Sequence, residues 1–398
     1  MSVFPEFAVH KTVPLKFSGV ELRLKTSHAL FSSRHVDDGT MLLLKTLAQT
    51  GSVPAKGRVL DVGCGYGPLA VALKKFRPEL QVTARDRLAL AVAFTAENAR
   101  LNGVTVDAEA GLLLEEVPGP WDLVVSNVPA KTGEPVLIDF VPRSLALLAP
   151  GGLAAVVLIE PLAAWFSQEL DKCGAEQIYQ ESGKGYRVFH YRSGTVPAKG
   201  SPEGAAFPEV YRRSEVRWSV GPRNFLQKTF YGLPNFDALD YRLQVTQPLL
   251  DDMKLKGDCL VWEPVQGHLS TWADSVLPPE TALHLAGNDL LGLLASAQNV
   301  VKRSALLHPA AFFSDLELGP GSIGSALLQV FPEPEIKWVD DTREALLRLL
   351  APGAQVLLNG SSTDLTRFLE RHRGLRKLRD ERSKGWRAVL MERTLAIT

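Results

Sequence analysis

The sequence predicts an α/β protein in which one doubly wound domain occurs twice. Three observations carry this. Short apolar runs alternate with apolar-striped stretches of helical length through residues 57–191, the rhythm of a largely parallel sheet covered by helices. An apolar strand, Val59-Leu60-Asp61-Val62, runs directly into the glycine turn Gly63-Cys64-Gly65-Tyr66-Gly67, and a helix opens at Pro68-Leu69. Fragments of the first half also recur about 200 residues later.

At 398 residues the chain exceeds one ordinary domain, so two of about 200 residues are expected. It is 45% hydrophobic and 22% charged, the composition of a globular protein. No apolar run approaches the ~20 residues of a membrane span. The first residues, MSVFPEFAVHKTV, show no secretory apolar region or cleavage site. Cys64, Cys173 and Cys259 lie far apart, which supports neither a disulfide framework nor a zinc site. The expectation is a cytoplasmic protein with no membrane and no metal. Net charge is zero, with 21 basic and 20 acidic side chains in residues 1–200 and 23 and 24 in the rest. Proteins that grip duplex nucleic acid are usually more basic. Any RNA contact therefore has to rest on a local patch.

The elements follow in order. Residues 13–34 read as extended structure with a turn, including Leu30-Phe31-Ser32-Ser33, and a helix is expected over 38–49. After the glycine turn, a helix runs to Phe76 and stops before Pro78. Val82 to Arg87 is a short strand that ends at Asp86, and residues 88–100 form a helix stopped by Asn102-Gly103. Residues 104–117 hold a third strand and its loop. Trp121 to Ser126 is a fourth strand that delivers Asn127-Val128-Pro129-Ala130 at its carboxyl end, the usual place for chemistry in an open α/β sheet. A helix over 136–149, a turn at 148–152, a buried strand over 153–159, a helix over 161–172 and a strand over 185–191 complete the half.

The spacing G-x-G-x-G is neither the G-x-G-x-x-G of a dinucleotide site nor a P-loop. A side chain at any of the three glycines would hold the backbone off a ligand or block a turn of positive φ. The stretch resembles the S-adenosylmethionine loop of class I methyltransferases, E/D-x-G-x-G-x-G, with Asp61 as the acid. That resemblance implies a Rossmann-like fold and a cofactor set of Asp61, Gly63, Cys64, Gly65, Gly67, Asp86, Arg87 and Asn127. Asp86 lies about 20 residues past the loop, where an acid would accept hydrogen bonds from ribose hydroxyls. A surface turn is its alternative reading. The acid that class I enzymes often carry after the third strand is replaced by Gly111, with Glu109 as a possible substitute.

The order Leu30-Phe31-Ser32, Asp37-x-Gly39, glycine loop, Asp86 and Ser126-Asn127-x-Pro129 resembles the bacterial rRNA guanine-N2 methyltransferases, which carry one catalytic and one degenerate methyltransferase-like half. The resemblance implies that the Asn127 side chain and the Val128 carbonyl hold an exocyclic amine, with Pro129 completing the motif. The family signature is Asn-Pro-Pro-Phe/Tyr. Here Val128 stands for the first Pro and Ala130 for the aromatic residue. Base stacking is commonly worth ~1–3 kcal/mol, so another residue would have to supply it. Phe31 and Tyr186 are candidates, and Lys131 could face a phosphate or an acidic substrate. Asn127 as a turn residue after a strand is the structural alternative.

The repeat is read from Gly257-Asp-Cys-Leu260 against Gly57-Arg-Val-Leu60, Gly267-His-Leu269 against Gly67-Pro-Leu69, and Lys384-Gly385-Trp386-Arg387 against Lys184-Gly185-Tyr186-Arg187. Gln298-Asn299 and Lys228-Thr229 match Glu97-Asn98 and Lys25-Thr26. The second copy has Glu263 and Val265 in place of Gly63 and Gly65, and no Asn-x-Pro follows Ile336 to Asp340, so it is expected to be degenerate. The expected domains are 1–192 and 205–398, joined by a Pro/Gly/Ser-rich linker at 193–204. Arg212 and Arg213, with Tyr211, Arg217, Trp218, Arg223, Phe225 and Lys228, form a candidate RNA patch. Arginines from Arg367 to Arg382, expected on a helix and its exit, form a second, with a solvated face as the alternative. The favoured function is methyl transfer from S-adenosylmethionine to an exocyclic amine of an RNA base, guanine N2 in rRNA. A small-molecule or protein methyltransferase, and a non-catalytic binding or assembly protein, are the alternatives.

Overall fold

Alternating apolar and polar residues near the N-terminus form an antiparallel hairpin, β1 (Lys11–Phe17) and β2 (Val20–Thr26). Val13, Leu15, Phe17, Leu22 and Leu24 share its buried face, as a two-residue period requires. The structure, a computed structural model, describes residues 4–194, 207–235, 238–330, 337–370 and 374–394. Residues 30–33, read as extended, form a turn in which Ser32 takes φ 55°. Then come α1 (Asp38–Gln49), β3 (Gly57–Val62), α2 (Pro68–Phe76), β4 (Leu80–Asp86), α3 (Ala89–Leu101), β5 (Asp107–Ala110) and β6 (Trp121–Asn127). They are followed by α4 (Glu134–Ala146), β7 (Leu148–Ile159), α5 (Ala163–Lys172), β8 (Ala175–Gly183) and β9 (Tyr186–Ser193).

The seven strands order as β5-β4-β3-β6-β7-β9-β8. The first five are parallel, and β9 is antiparallel to both neighbours. Val59–Val62, Leu123–Ser126 and Ala154–Leu158 are buried throughout, as strands covered on both faces must be. The expected turn at 148–152 is a register shift at the start of β7. Strand β8 escaped the sequence reading because it lies on the sheet edge, where no residue is fully buried.

The second unit repeats this order with β10 (Arg212–Val220), β11 (Arg223–Phe230), α6 (Tyr241–Leu250), β12 (Asp258–Trp262), α7 (His268–Val276), β13 (Leu283–Gly287) and α8 (Leu290–Ala297). It continues through β14 (Leu306–Pro309), β15 (Ile323–Gln329), α9 (Lys337–Leu349), β16 (Leu350–Ser361), α10 (Ser362–Glu370), β17 (Leu375–Ser383) and β18 (Trp386–Arg393). Its sheet order, β14-β13-β12-β15-β16-β18-β17, is the same topology. Lys337–Leu349 is helical, Ile336 lies outside the described residues, and β15 is the counterpart of β6. No helix among the described residues is long and apolar enough to cross a membrane.

The repeat extends to single hydrogen bonds. In the first unit Asn98 Oδ1 accepts from Lys25 N (2.7 Å), and its Nδ2 donates to Lys25 O (2.9 Å) and Tyr66 O (2.8 Å). In the second, Asn299 Oδ1 accepts from Lys228 N (2.8 Å), and its Nδ2 donates to Lys228 O (2.9 Å) and Gln266 O (3.2 Å). Gly67 (φ 85°) and Gly267 (φ 90°) each begin the next helix. A Cβ on Gly67 would lie 2.9 Å from Thr95, and one on Gly267 would lie 2.8 Å from Ser296. Both glycines are required by helix packing in both copies.

Two sequence expectations about boundaries and patches are corrected. The chain divides into Met1–Tyr211 and Arg212–Thr398, not at 193–204. Residues 195–204 of the expected linker lie outside the described residues, and Phe207 N donates to Glu115 Oε1 (2.8 Å) inside the first unit. In the arginine run, Arg376, Lys377, Arg379 and Arg382 lie on a strand, β17, while Arg371 and Arg373 fall outside the described residues. Acids neutralise much of it: Arg376 pairs with Glu392 (2.8 Å), Arg379 with Asp252 and Glu381, and Lys377 and Arg382 with Asp380 (3.2 and 3.7 Å). In the β10–β11 hairpin, Trp218 is buried and stacks on Phe225 with ring centroids 4.6 Å apart. These rings serve the core and are not displayed for bases. Arg212 pairs with Glu215 (2.6 Å), and the Arg213 guanidinium lies 5.5 Å from the centre of the Tyr231 ring.

The Asn98 and Asn299 amides are expected to contribute comparably. Asn98→Ala and Asn299→Ala should each cost about 2–4 kcal/mol, because buried backbone groups lose their partners. Urea unfolding of each variant checks this, and a loss within ±0.5 kcal/mol would contradict it.

Candidate active site

The candidate residues of the first unit gather at the carboxyl ends of β3, β4 and β6, where the strand order reverses. The glycine loop leaves β3 and is tied to β4 by its backbone: Gly63 N and Cys64 N both donate to Arg85 O (2.8 and 3.0 Å). Gly63 (φ 73°) and Gly65 (φ 57°) are half-buried, and a Cβ on either would meet nothing within 4 Å. This is an open cradle, where the backbone can approach a ligand closely. It fits a bound nucleoside-type group, and Gly67 by contrast serves packing.

Asp61 stands beneath the loop. It is fully buried, and its Oδ2 accepts from Ala70 N (3.0 Å) in the first turn of α2. Gly67 offers no side chain to that helix terminus, so the strand acid does the capping. Burial pushes the Asp61 carboxyl up to about 7, against the Ala70 hydrogen bond. Cys64 is also buried. Its Sγ lies 3.3 Å from Thr95 Oγ1, and burial raises its thiol well above the usual range. Both residues shape the loop from behind.

Asp86 ends β4 with its carboxylate engaged by three backbone donors, Gly65 N to Oδ2 (3.0 Å), Leu88 N to Oδ1 (2.9 Å) and Arg87 N. The carboxylate keeps acceptor capacity beyond these three donors for a hydroxyl. Burial raises the carboxyl, while these N–H groups and Arg87 lower it. Arg87 follows, half-buried. At Gly111 the structure explains the missing acid. A Cβ there would lie 1.9 Å from the Arg85 guanidinium, which donates to Glu115 O (2.8 Å) and pairs with Glu109 (3.0 Å). Glu109 is therefore spent on Arg85 and does not replace the acid.

Asn127 ends β6. Its Nδ2 donates to Asp37 Oδ2 (2.8 Å) and Thr40 Oγ1 (3.1 Å). Asp37, the residue that caps α1, also accepts from Tyr186 Oη on its other oxygen (2.8 Å). A Cβ on Gly39 would lie 2.7 Å from the Tyr186 ring, so the glycine admits that ring. Tyr186 thus reaches the site through its hydroxyl and packs its ring on α1. Val128 is buried and donates its N–H to Val157 O (2.9 Å); Pro129 and Lys131 are exposed. Phe31 is 67% exposed on the turn before α1. That turn is tied to the glycine loop by Tyr66 Oη donating to His35 O (3.4 Å). Arg212 and Arg213 begin the other unit. Sequence reasoning missed Asp37 and Thr40 as partners of Asn127. The signal was the helix start Asp37-Asp38-Gly39-Thr40, with a glycine inside the first turn.

The same strand ends in the second unit are filled. Glu263 and Val265 both take φ 53°, a left-handed conformation costly for any residue with a Cβ and most of all for valine. The Glu263 carboxylate accepts from Asn288 N (2.7 Å). Gln329, the counterpart of Asn127, donates to Glu263 O (2.8 Å). Arg242 is buried with Asp240 3.5 Å away and the Trp386 ring centre 5.7 Å away.

One pH dependence follows from Asp61. Its folded value, about 7, lies above the unfolded ~3.9, so the fold favours the protonated carboxyl. Stability from this group is present at low pH and is lost as pH rises through about 7. Between pH 5 and 8 the protein should lose about 2–3 kcal/mol more than Asp61→Asn does. Urea unfolding at both pH values decides it, and parallel losses would contradict it.

The comparisons agree with this geometry. Residues 21–190 match the family model of the methyltransferase small domain. The ribosomal RNA small subunit methyltransferase C of Escherichia coli (strain UMN026) is 36% identical over 135 residues, covering 34% of this chain and 38% of that protein. The protein of the same name from Erwinia tasmaniensis is 31% identical over 174 residues, 42% of this chain and 49% of that one. The chain thus spans less than half the length of these relatives. The fold of the T. thermophilus 16S rRNA N2 methyltransferase, solved with AdoMet and guanosine, matches 98% of this chain and 99% of that chain at a TM-score of 0.65 and 16% identity. The chain resembles the S-adenosylmethionine-dependent methyltransferases: residues 21–190 match the methyltransferase small domain, and part of the chain is similar to ribosomal RNA small subunit methyltransferases C.

Proposed function

We propose that the protein transfers a methyl group from S-adenosylmethionine to the exocyclic amine of an RNA base, guanine N2 in rRNA, using the first unit alone. The observation that carries this reading is the juxtaposition of an open glycine cradle and Asn127 on the paired strands β3 and β6, with Val62 opposite Ser126. Bound S-adenosylmethionine would supply an electrophilic methyl on its sulfonium. The chain's part is placement. Gly63 and Gly65 admit the cofactor backbone-close, and Asp86 offers acceptors to its hydroxyls. The Asn127 side-chain oxygen and the Val128 carbonyl accept hydrogen bonds from the acceptor amine and aim its lone pair. With that methyl taken up by the acceptor nitrogen, the cofactor's sulfur would leave as a neutral thioether and one N–H proton would pass to solvent. Orientation can supply most of such a rate.

The second unit is proposed as a degenerate copy, a substrate-recognition or scaffold domain without a cofactor. Its support is the filling of its strand ends by Glu263, Arg242 and Gln329. Exposed Phe31 is proposed to replace the stacking aromatic absent at Ala130, and Lys131 to meet a phosphate. The missing aromatic also favours a second reading, a small-molecule or protein acceptor.

Labelled S-adenosylmethionine, incubated with the protein and with total RNA, free amine metabolites or cell protein in turn, separates the two. Label should enter RNA as N2-methylguanosine, with binding that weakens steeply as salt rises. Label confined to protein or small molecules would contradict the RNA reading. Gly65→Val should abolish cofactor binding in calorimetry with the fold retained. Asn127→Ala should lower kcat by about 100-fold or more with cofactor Kd within about threefold. Equal losses in both would assign Asn127 to cofactor binding.

A further inference from the structure

We propose that Asp37 is a positioning residue that fixes which end of the Asn127 amide faces the methyl acceptor, and so restricts the acceptor to a group that carries a hydrogen to donate. This rests on the reading of Asn127 given above. Both hydrogens of Asn127 Nδ2 are committed, one to Asp37 Oδ2 at 2.8 Å and one to Thr40 Oγ1 at 3.1 Å. The flipped amide would set its oxygen against a carboxylate oxygen with no proton between them. The network therefore assigns the orientation. Asp37 itself is only 7% exposed and is held from three sides, by Tyr186 Oη (2.8 Å), Thr40 N (3.2 Å) and the Asn127 amide. A carboxylate so enclosed exerts its preference at low dielectric. Asn127 Oδ1 is left as the acceptor end of the amide. It can receive a hydrogen from an amine but has none to offer a carbonyl oxygen or a bare ring nitrogen.

The second unit separates this role from capping. Its Asp240 still caps α6 through Leu243 N (2.8 Å), yet Gln329 at the Asn127 position donates to Glu263 O and not to Asp240. An acid before this helix is kept although the amide it holds is that of Asn235 (3.0 Å) and not the one at the Asn127 position. A test must therefore keep the cap while removing the orientation; Asp37 Oδ2 serves both Thr40 N and Asn127 Nδ2, so asparagine would keep both, whereas serine caps a helix as well as aspartate with a shorter side chain.

The full chain is compared as Asp37→Ser, Asn127→Asp and the reciprocal double variant, Asp37→Asn with Asn127→Asp. Asp37→Ser should lower kcat about 10–100-fold with S-adenosylmethionine Kd within about threefold. Asn127→Asp should fall at least as far, since it sets two carboxylates in contact. The double variant restores a donor–acceptor contact with the donor on the other side, and should recover about tenfold over Asn127→Asp. An unchanged kcat in Asp37→Ser, a proportional loss of cofactor affinity, or no recovery in the double variant would overturn the proposal. If the unmodified protein methylates no RNA, the functional reading fails by itself. The orientation is then decided by the Asn127 side-chain amide protons in 15N spectra. They should be protected from exchange in the unmodified protein and exposed in Asp37→Ser; equal protection would overturn the proposal.

Discussion

A single buried amide ties the first unit together. Asn98 projects from α3, closes both sides of the β2 backbone at Lys25, and holds the carbonyl of Tyr66 in the glycine loop. A backbone donor and two backbone acceptors with no partner of their own would be costly in a buried setting. One side chain satisfies all three and thereby fixes the hairpin, the loop and the helix relative to one another. The loop can then present Gly63 and Gly65 at positive φ without collapsing onto the helix. Asn299 performs the same task with Lys228 and Gln266, so the scaffold does not depend on what the loop later holds.

The two copies share what the fold needs and differ in what a ligand needs. Gly67 and Gly267 are both glycine because a neighbouring helix leaves no room for a Cβ. Gly63 and Gly65 face open space, and their counterparts carry side chains while the backbone keeps its left-handed turn. Glutamate and valine in that conformation store strain of roughly 1–2 kcal/mol each, which the surrounding packing has to offset. The space gained is taken up from within the unit: Glu263 reaches the Asn288 N–H, and Arg242 is buried between Asp240 and Trp386. A ligand would have to displace a charged side chain there, whereas in the first unit it meets backbone.

Much of this was legible in the sequence. The helix at 38–49, the loop, the end of β4 at Asp86 and the end of β6 at Asn127 follow from apolar periodicity and from glycine and proline punctuation. The duplication was legible because Asn98, Gly67 and the Lys184-Gly185 turn are each demanded by a backbone conformation or a backbone hydrogen bond. Edge strand β8 was not, since its residues alternate only between partly buried and exposed. The arginine run was misplaced because charged side chains carry no periodicity of burial. Trp218 and Phe225 read as a nucleic-acid surface only until the hairpin buried them. The largest omission was the partnership of Asp37, Tyr186 and Asn127. These residues are separated by up to 149 positions and meet only once β9 folds back beside β7 and against α1. No local signal reports such a contact.

The central claim is that one scaffold occurs twice and that only the first copy keeps a cofactor cradle. Titrating S-adenosylmethionine into the intact chain by calorimetry tests it most directly. The account predicts one site per chain, removed entirely by a side chain at Gly65. A second site, or a site that survives at Glu263 and Val265 when Gly65 is blocked, would contradict it.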